Sequence, residues 1–139
     1  GAGRVIAIEE DAGWKERVEV LVRLNGLSDY AEIHHCPLRP ATSATDIPWY
    51  STDGVSIPET IDLVLVDGPA AGRHPTIRQP ALPFAWDRLA VGGELLLDDG
   101  AREGERSIVK AWQERFGDRI SAEFKATPRG AWVIRKMTA

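Results

Sequence analysis

Two stretches bring carboxylates to places where chemistry could be done. Asp67 closes the run Ile61-Asp62-Leu63-Val64-Leu65-Val66 and is followed by Gly68-Pro69, which turn the chain away. Asp98-Asp99-Gly100 closes Gly92-Gly93-Glu94-Leu95-Leu96-Leu97 in the same manner. Continuous aliphatic runs of this length suit strands buried on both faces of a parallel sheet, and open α/β sheets bind ligands at the carboxyl ends of their strands. Asp67, Asp98 and Asp99 therefore read as one acidic rim. Three carboxylates there could hold a divalent ion, take a proton, or face a substrate, with Asp99 or Gly100 capping the next helix. A third carboxyl end follows Val5-Ile6-Ala7-Ile8, where Glu9-Glu10-Asp11 begins. Glu9, with two acceptor oxygens, could bind a vicinal diol in bidentate fashion.

Other reactive side chains give weaker patterns. His34-His35-Cys36 contains metal-capable groups, yet adjacent strand residues point to opposite faces and do not converge on one ion. His74 stands in the polar segment after Asp67 and has the imidazole chemistry for proton transfer. Arg73, Arg78 and Arg102 fall near the rim, where they could recognise an acidic substrate or pair with the aspartates. Trp14, Trp86, Trp112 and Trp132 fall on apolar faces and read as core, leaving Trp49 of the pair Trp49-Tyr50 for a ligand.

The elements that must position these groups follow from periodicity. Asp11 precedes a helix over Ala12–Leu24, with Trp14, Val18, Leu21 and Val22 at spacings of three and four, and Asn25-Gly26 ends it. A short strand covers Tyr30–His35, and residues from Arg39 to Pro58 form a long irregular connection. Pro80–Leu89 reads as a helix with Leu82, Trp86 and Leu89 on one face, and Gly92-Gly93 as the turn into the second acidic-ended strand. Glu105–Phe116 is amphipathic, with Ile108, Val109, Trp112 and Phe116 inward and Gly117 closing it. Ile120–Lys125 and Ala131–Ile134 form a terminal antiparallel hairpin. Alternation of strands and helices predicts an α/β fold.

Composition narrows the function classes. With 139 residues, 43% of them hydrophobic and 27% charged, the chain reads as a single domain over 1–139. No run reaches the roughly 18 apolar residues of a membrane span, no signal-peptide pattern opens the chain, and the expected location is cytoplasmic. The lone Cys36 cannot form an internal disulfide, which fits a reducing compartment. A formal charge of −4 gives no general attraction to nucleic acid or to anionic membranes, so a small-molecule partner is expected.

Val5-Ile6-Ala7-Ile8-Glu9, the Ile61–Pro69 strand, Gly92-Gly93-Glu94-Leu95-Leu96-Leu97-Asp98-Asp99 and the closing strand pair resemble the class I S-adenosylmethionine-dependent methyltransferases. Trp49-Tyr50, Val66-Asp67-Gly68-Pro69, Pro80-Ala81-Leu82-Pro83 and Asp98-Asp99 resemble the small bacterial branch of that family. The resemblance covers nearly the whole chain, and order and spacing carry it more than any one motif. It implies a three-layer Rossmann-like sandwich with a mostly parallel sheet and a C-terminal antiparallel pair. S-adenosylmethionine is the implied cofactor and methyl transfer to a small-molecule acceptor the implied activity. Glu9, with Glu10 beside it, would meet the ribose hydroxyls; Cys36, Pro37 and Leu38 the adenine; Asp67 and Gly68 the methyl-transfer site; Asp98 and Asp99 the acceptor. The rim is also similar to a catechol-type branch that binds a metal, but Asp99 stands where that branch has Asn, so a divalent metal is not the favoured reading.

The family's first strand, glycine-rich loop and first helix would lie before Gly1, and Gly1-Ala2-Gly3 does not replace that loop. The chain thus resembles a member without its first βα unit. That strand would sit between the strand ending at Glu9 and the strand ending at Asp67, so both should present unpaired edges. A non-catalytic module that dimerises through those edges is the alternative function. A nicotinamide-dependent oxidoreductase is disfavoured, because no Gly-x-Gly-x-x-Gly precedes a helix.

Overall fold

The computed structural model describes residues 3–40, 42–43, 46–72 and 74–139. Arg73, a candidate from the sequence, lies outside the described residues. The chain divides into two compact units, Gly1–Ile57 and Pro58–Ala139.

In the first unit, strand β1 (Val5–Glu9) pairs in parallel with β2 (Ala31–His35), from Val5 opposite Ala31 to Glu9 opposite His35. Helix α1 (Ala12–Leu24) connects them. It starts at Asp11 because that carboxylate accepts the Trp14 N–H at 2.6 Å, satisfying an otherwise orphaned helix donor. It stops where Gly26 takes a left-handed φ of 66°. The helix bounds match the periodicity, but its apolar stripe is not interior: α1 has no buried residue and Trp14 is 53% exposed. Trp14 is therefore not a core residue, contrary to the sequence reading. Beyond β2, the connection is not wholly irregular: β3 (Leu38–Arg39) and β4 (Trp49–Tyr50) form a short antiparallel pair.

The second unit holds strands β5 (Ile61–Val66), β6 (Leu89–Asp98), β7 (Ile120–Lys125) and β8 (Ala131–Lys136), in the order β5-β6-β8-β7. β5 and β6 run parallel, and β8 lies antiparallel to both β6 and β7. Helices α2 (Ala81–Ala85) and α3 (Glu103–Phe116) complete it. One sheet face carries Val66, Leu95, Leu97 and Ile134, all buried, in a core that also takes Leu82, Ile108, Val109, Trp112 and Phe116. Among the described residues, no helix is long and apolar enough to cross a membrane.

Two boundaries and one burial pattern depart most from the sequence reading. The helix expected over Pro80–Leu89 ends at Ala85. The buried ammonium of Lys136 donates to the Trp86 and Leu89 carbonyls at 2.8 and 2.9 Å, and Ile61 N–H donates to Arg88 O at 2.8 Å, so tertiary bonds claim the groups that a longer helix would use. Gly92-Gly93 is not a turn before β6 but an irregularity inside it, with Gly92 at φ 82° where the register against β5 shifts. Finally, β5 is not buried on both faces. Among the described residues it pairs only with β6, and Leu63 and Leu65 are 57% and 70% exposed. The aliphatic run marks a strand without telling which faces are covered.

This asymmetry has a direct test. Leu97→Ala, at a fully buried position, should cost about 2–5 kcal/mol by loss of transfer energy and creation of a cavity. Leu65→Ala, on the open face, should stay within about 0.5 kcal/mol. Urea unfolding of the two variants measures both, and equal losses would contradict the one-sided core.

Candidate functional site

The carboxyl ends of β5 and β6 carry the three aspartates to one rim. Asp67, Asp98 and Asp99 each present a carboxylate oxygen within 4.8 Å of the others. The sequence reading is right in placing them together, but their surroundings differ. Asp67 is exposed, Asp98 is half-buried, and Asp99 is only 2% exposed. Asp99 adopts φ 58°, a left-handed conformation that aspartate tolerates better than most residues. It does not cap α3, whose N-cap is Arg102 without a side-chain cap bond. Instead Asp99 serves as the hub of an ion-pair network. Its carboxylate meets Arg78 Nη1 at 3.5 Å, Arg102 Nη1 at 2.9 Å and Arg129 Nη2.

Arg78 is the buried centre of this rim, 3% exposed. Its Nη2 donates to Asp67 O at 2.6 Å and Nε to Pro69 O at 3.2 Å, while Nη1 lies 3.3 Å from Asp98 O and 3.4 Å from Glu105 Oε1. Nη2 also stands 3.6 Å from Asp67 Oδ1. One guanidinium thus ties the end of β5, the cis Gly68-Pro69 turn, the end of β6 and the first turn of α3. The segment that delivers it is a chain of turns, with Ile77 N–H bonded to His74 O at 3.0 Å and Gln79 N–H to Thr76 O at 2.9 Å. Buried Ile77 and the Trp112 Nε1–H donated to Gln79 O at 2.8 Å anchor it. α3 approaches this segment closely: a Cβ on Gly104 would stand 2.2 Å from Pro75 O.

Sequence reasoning reached Arg78 and Arg102 but missed Glu105 and Arg129. Glu105 did leave a signal, since it sits three and four residues before Ile108 and Val109 on the inward stripe of α3. An acidic residue on an apolar stripe calls for a buried cation. Arg129, in the β7–β8 turn, left none. His74 is exposed, with no side-chain partner among the described residues. Asp98 likewise has no side-chain hydrogen bond or ion pair among the described residues.

The first unit assembles the other candidates at the carboxyl ends of β1 and β2. Cys36 N–H donates to Glu9 O at 2.7 Å, which brings the residue after β2 against the last residue of β1. Glu9 Oε1 accepts the Asp11 N–H at 2.9 Å, fixing the carboxylate, while Oε2 has no partner among the described residues. A carboxylate so held, with acceptor capacity to spare, fits the diol of a ribose. Glu10 is half-buried, and its carbonyl lies 3.0 Å from His35 Nε2. Cys36 is buried, and desolvation pushes its thiol above the ordinary range. Pro37 is exposed and Leu38 half-buried, opposite Tyr50 in the β3–β4 pair. Trp49, expected near a ligand, is half-buried and packs edge-on against Tyr50 with ring centroids 5.0 Å apart. His34 and His35 contact different partners, Glu32 and Glu10 O, so they share no ion.

No family profile and no curated protein sequence matches the chain. Solved structures do. A methyltransferase from Geobacter sulfurreducens is 18% identical with a TM-score of 0.64, covering 97% of this chain and 59% of its own. The SAH-bound methyltransferase PaMTH1 of Podospora anserina is 13% identical with a TM-score of 0.68, covering 97% and 61%. A Clostridium thermocellum protein assigned as an rRNA methylase is 13% identical with a TM-score of 0.66, covering 99% and 75%. This chain spans about six-tenths of the length of the first two. At such identities the likeness establishes architecture: the chain has the Rossmann-like fold of the class I S-adenosylmethionine-dependent methyltransferases, parallel strand pairs followed by a closing antiparallel pair.

Proposed function

We propose that this chain takes part in S-adenosylmethionine-dependent methyl transfer to a small-molecule acceptor, with residues 1–139 acting as one methyltransferase-like domain in the cytoplasm. The observation that carries the reading is the rim itself. Two adjacent parallel strands end in Asp67 and Asp98, and the second carboxylate has no side-chain partner among the described residues.

When bound, the cofactor supplies a methyl made electrophilic by its sulfonium. In this reading Glu9, with Glu10 beside it, holds the ribose hydroxyls, and the turn from Cys36 through Pro37 to Leu38 borders the adenine. Asp67 and Gly68 border the transfer site. Asp98 would accept the proton that the acceptor's nucleophilic atom releases on taking the methyl, which the bound cofactor would supply with S-adenosylhomocysteine as the leaving group. Asp99 keeps Asp98 in place through its own ion pairs rather than touching the acceptor. An RNA acceptor, suggested by the Clostridium protein, is disfavoured here by the net charge of −4.

A second reading is favoured by one observation, the edge of β5 left unpaired among the described residues, with Leu63 and Leu65 exposed. An edge of that kind suits a non-catalytic module that dimerises through strand pairing. Isothermal titration of S-adenosylhomocysteine, with Glu9→Ala as control, separates the two. Micromolar binding that weakens at least about tenfold in Glu9→Ala is expected for the enzyme. A folded protein that takes up no S-adenosylhomocysteine and sediments as a dimer would move the weight to the interaction module.

A further inference from the structure

We infer that Arg78 is the resident cation of the acidic rim and stands where a divalent ion would sit among such carboxylates. Asp67, Asp98 and Asp99 have the donor chemistry of a magnesium or manganese site, and their oxygens lie close enough together to converge on one ion. The surroundings do not fit one. A guanidinium nitrogen already lies 3.5 Å from Asp99 Oδ2 and another lies 3.6 Å from Asp67 Oδ1. Arginine does not give up its proton, so this charge is permanent, and a doubly charged ion on the same oxygens would face it at short range. Asp99 is further engaged by Arg102 and Arg129, which leaves its oxygens little capacity for a metal.

Arg78 also does what an ion could not. Its planar fork of N–H groups binds the carbonyls of Asp67, Pro69 and Asp98 together with the Glu105 carboxylate, fixing both strand ends to α3. A spherical cation has no such directionality. Arg78 is therefore a positioning residue for Asp67 and Asp98, acting through the carbonyls at the two strand ends. The assignment of those aspartates to methyl transfer rests on the function proposed above, but the occupancy of the rim does not.

The test uses manganese chloride alone, titrated by calorimetry and by paramagnetic broadening of the Asp67, Asp98 and Gly100 amide signals. The wild-type chain should show no saturable site tighter than millimolar. The charge-balanced pair Arg78→Gln with Glu105→Gln removes the guanidinium beside Asp67 and Asp99 without leaving a buried charge alone, and should bind manganese roughly tenfold or more tightly than wild type, through Asp67 and Asp98 above all. Arg78→Lys, which keeps the positive charge, should stay like wild type. Saturable submillimolar binding in the wild type that Asp98→Asn removes would overturn the inference. A folded paired variant with no gain, or a gain in Arg78→Lys equal to that of the pair, would overturn it as well. The wild-type titration decides by itself if neither variant folds. No cofactor or acceptor enters the experiment, so its outcome is independent of whether S-adenosylhomocysteine binds.

Discussion

Arg78→Met is expected to lower stability by about 3–5 kcal/mol, because it leaves buried acidic groups without their cation. Glu105 loses most. It is 1% exposed, its Oε1 lies 3.4 Å from Arg78, and the remaining cation, Arg102, stands at 3.8 Å and is itself half exposed to water. Asp99 keeps Arg102 and Arg129, so its loss is smaller. The carbonyls of Asp67 and Pro69 also lose their donor, at a further cost where water cannot enter. Methionine fills much of the volume, which keeps cavity formation from dominating the result. Adding Glu105→Met to Arg78→Met should recover part of the loss, since an apolar pair of similar volume replaces an ion pair without stranding either charge. Urea midpoints at constant slope measure both effects. A loss below ~1 kcal/mol for Arg78→Met would place the pair among ordinary surface ion pairs and remove Arg78 from the centre of the rim.

The elements were legible where local chemistry decides them. Asp11, the three- and four-residue spacing and Asn25-Gly26 define α1 from its cap to its end, and the hairpin of β7 and β8 follows from two strand patterns around Thr127-Pro128-Arg129-Gly130. The carboxylate rim was legible because an aliphatic run ending in Asp marks the carboxyl end of a strand. What could not be read is what covers each face. Leu63 to Val66 have the composition of a doubly buried strand, yet Val66 is buried and Leu65 is open, because burial depends on neighbours outside the run. Trp14 and Leu21 share the same fate on α1. Arg78 was visible as a residue near the rim but not as its centre. Its contacts lie nine to twenty-seven positions away, with Pro69, Asp67, Asp98, Asp99 and Glu105, and a segment made of turns has no period to betray which side chain points inward.

Asp98→Asn and Asp99→Asn, adjacent and chemically identical changes, should have opposite signatures. Asp99→Asn is expected to cost about 3 kcal/mol, because a buried carboxylate that pairs with Arg78, Arg102 and Arg129 loses its charge. Backbone strain is not the source, since asparagine accepts the φ of 58° as readily as aspartate. Asp98→Asn removes a half-buried carboxylate without a partner among the described residues, so stability should change by no more than about 0.5 kcal/mol. Methyl transfer, if Asp98 takes the acceptor's proton, should fall by roughly 10²–10⁴ in Asp98→Asn while S-adenosylhomocysteine affinity holds. The measurements are urea unfolding, S-adenosylhomocysteine titration, and release of S-adenosylhomocysteine with an acceptor that the wild type turns over. Unchanged turnover in a folded Asp98→Asn variant would exclude Asp98 as the base. Equal stability losses at the two positions would mean that the charge of Asp98 is engaged within the fold rather than held for a ligand.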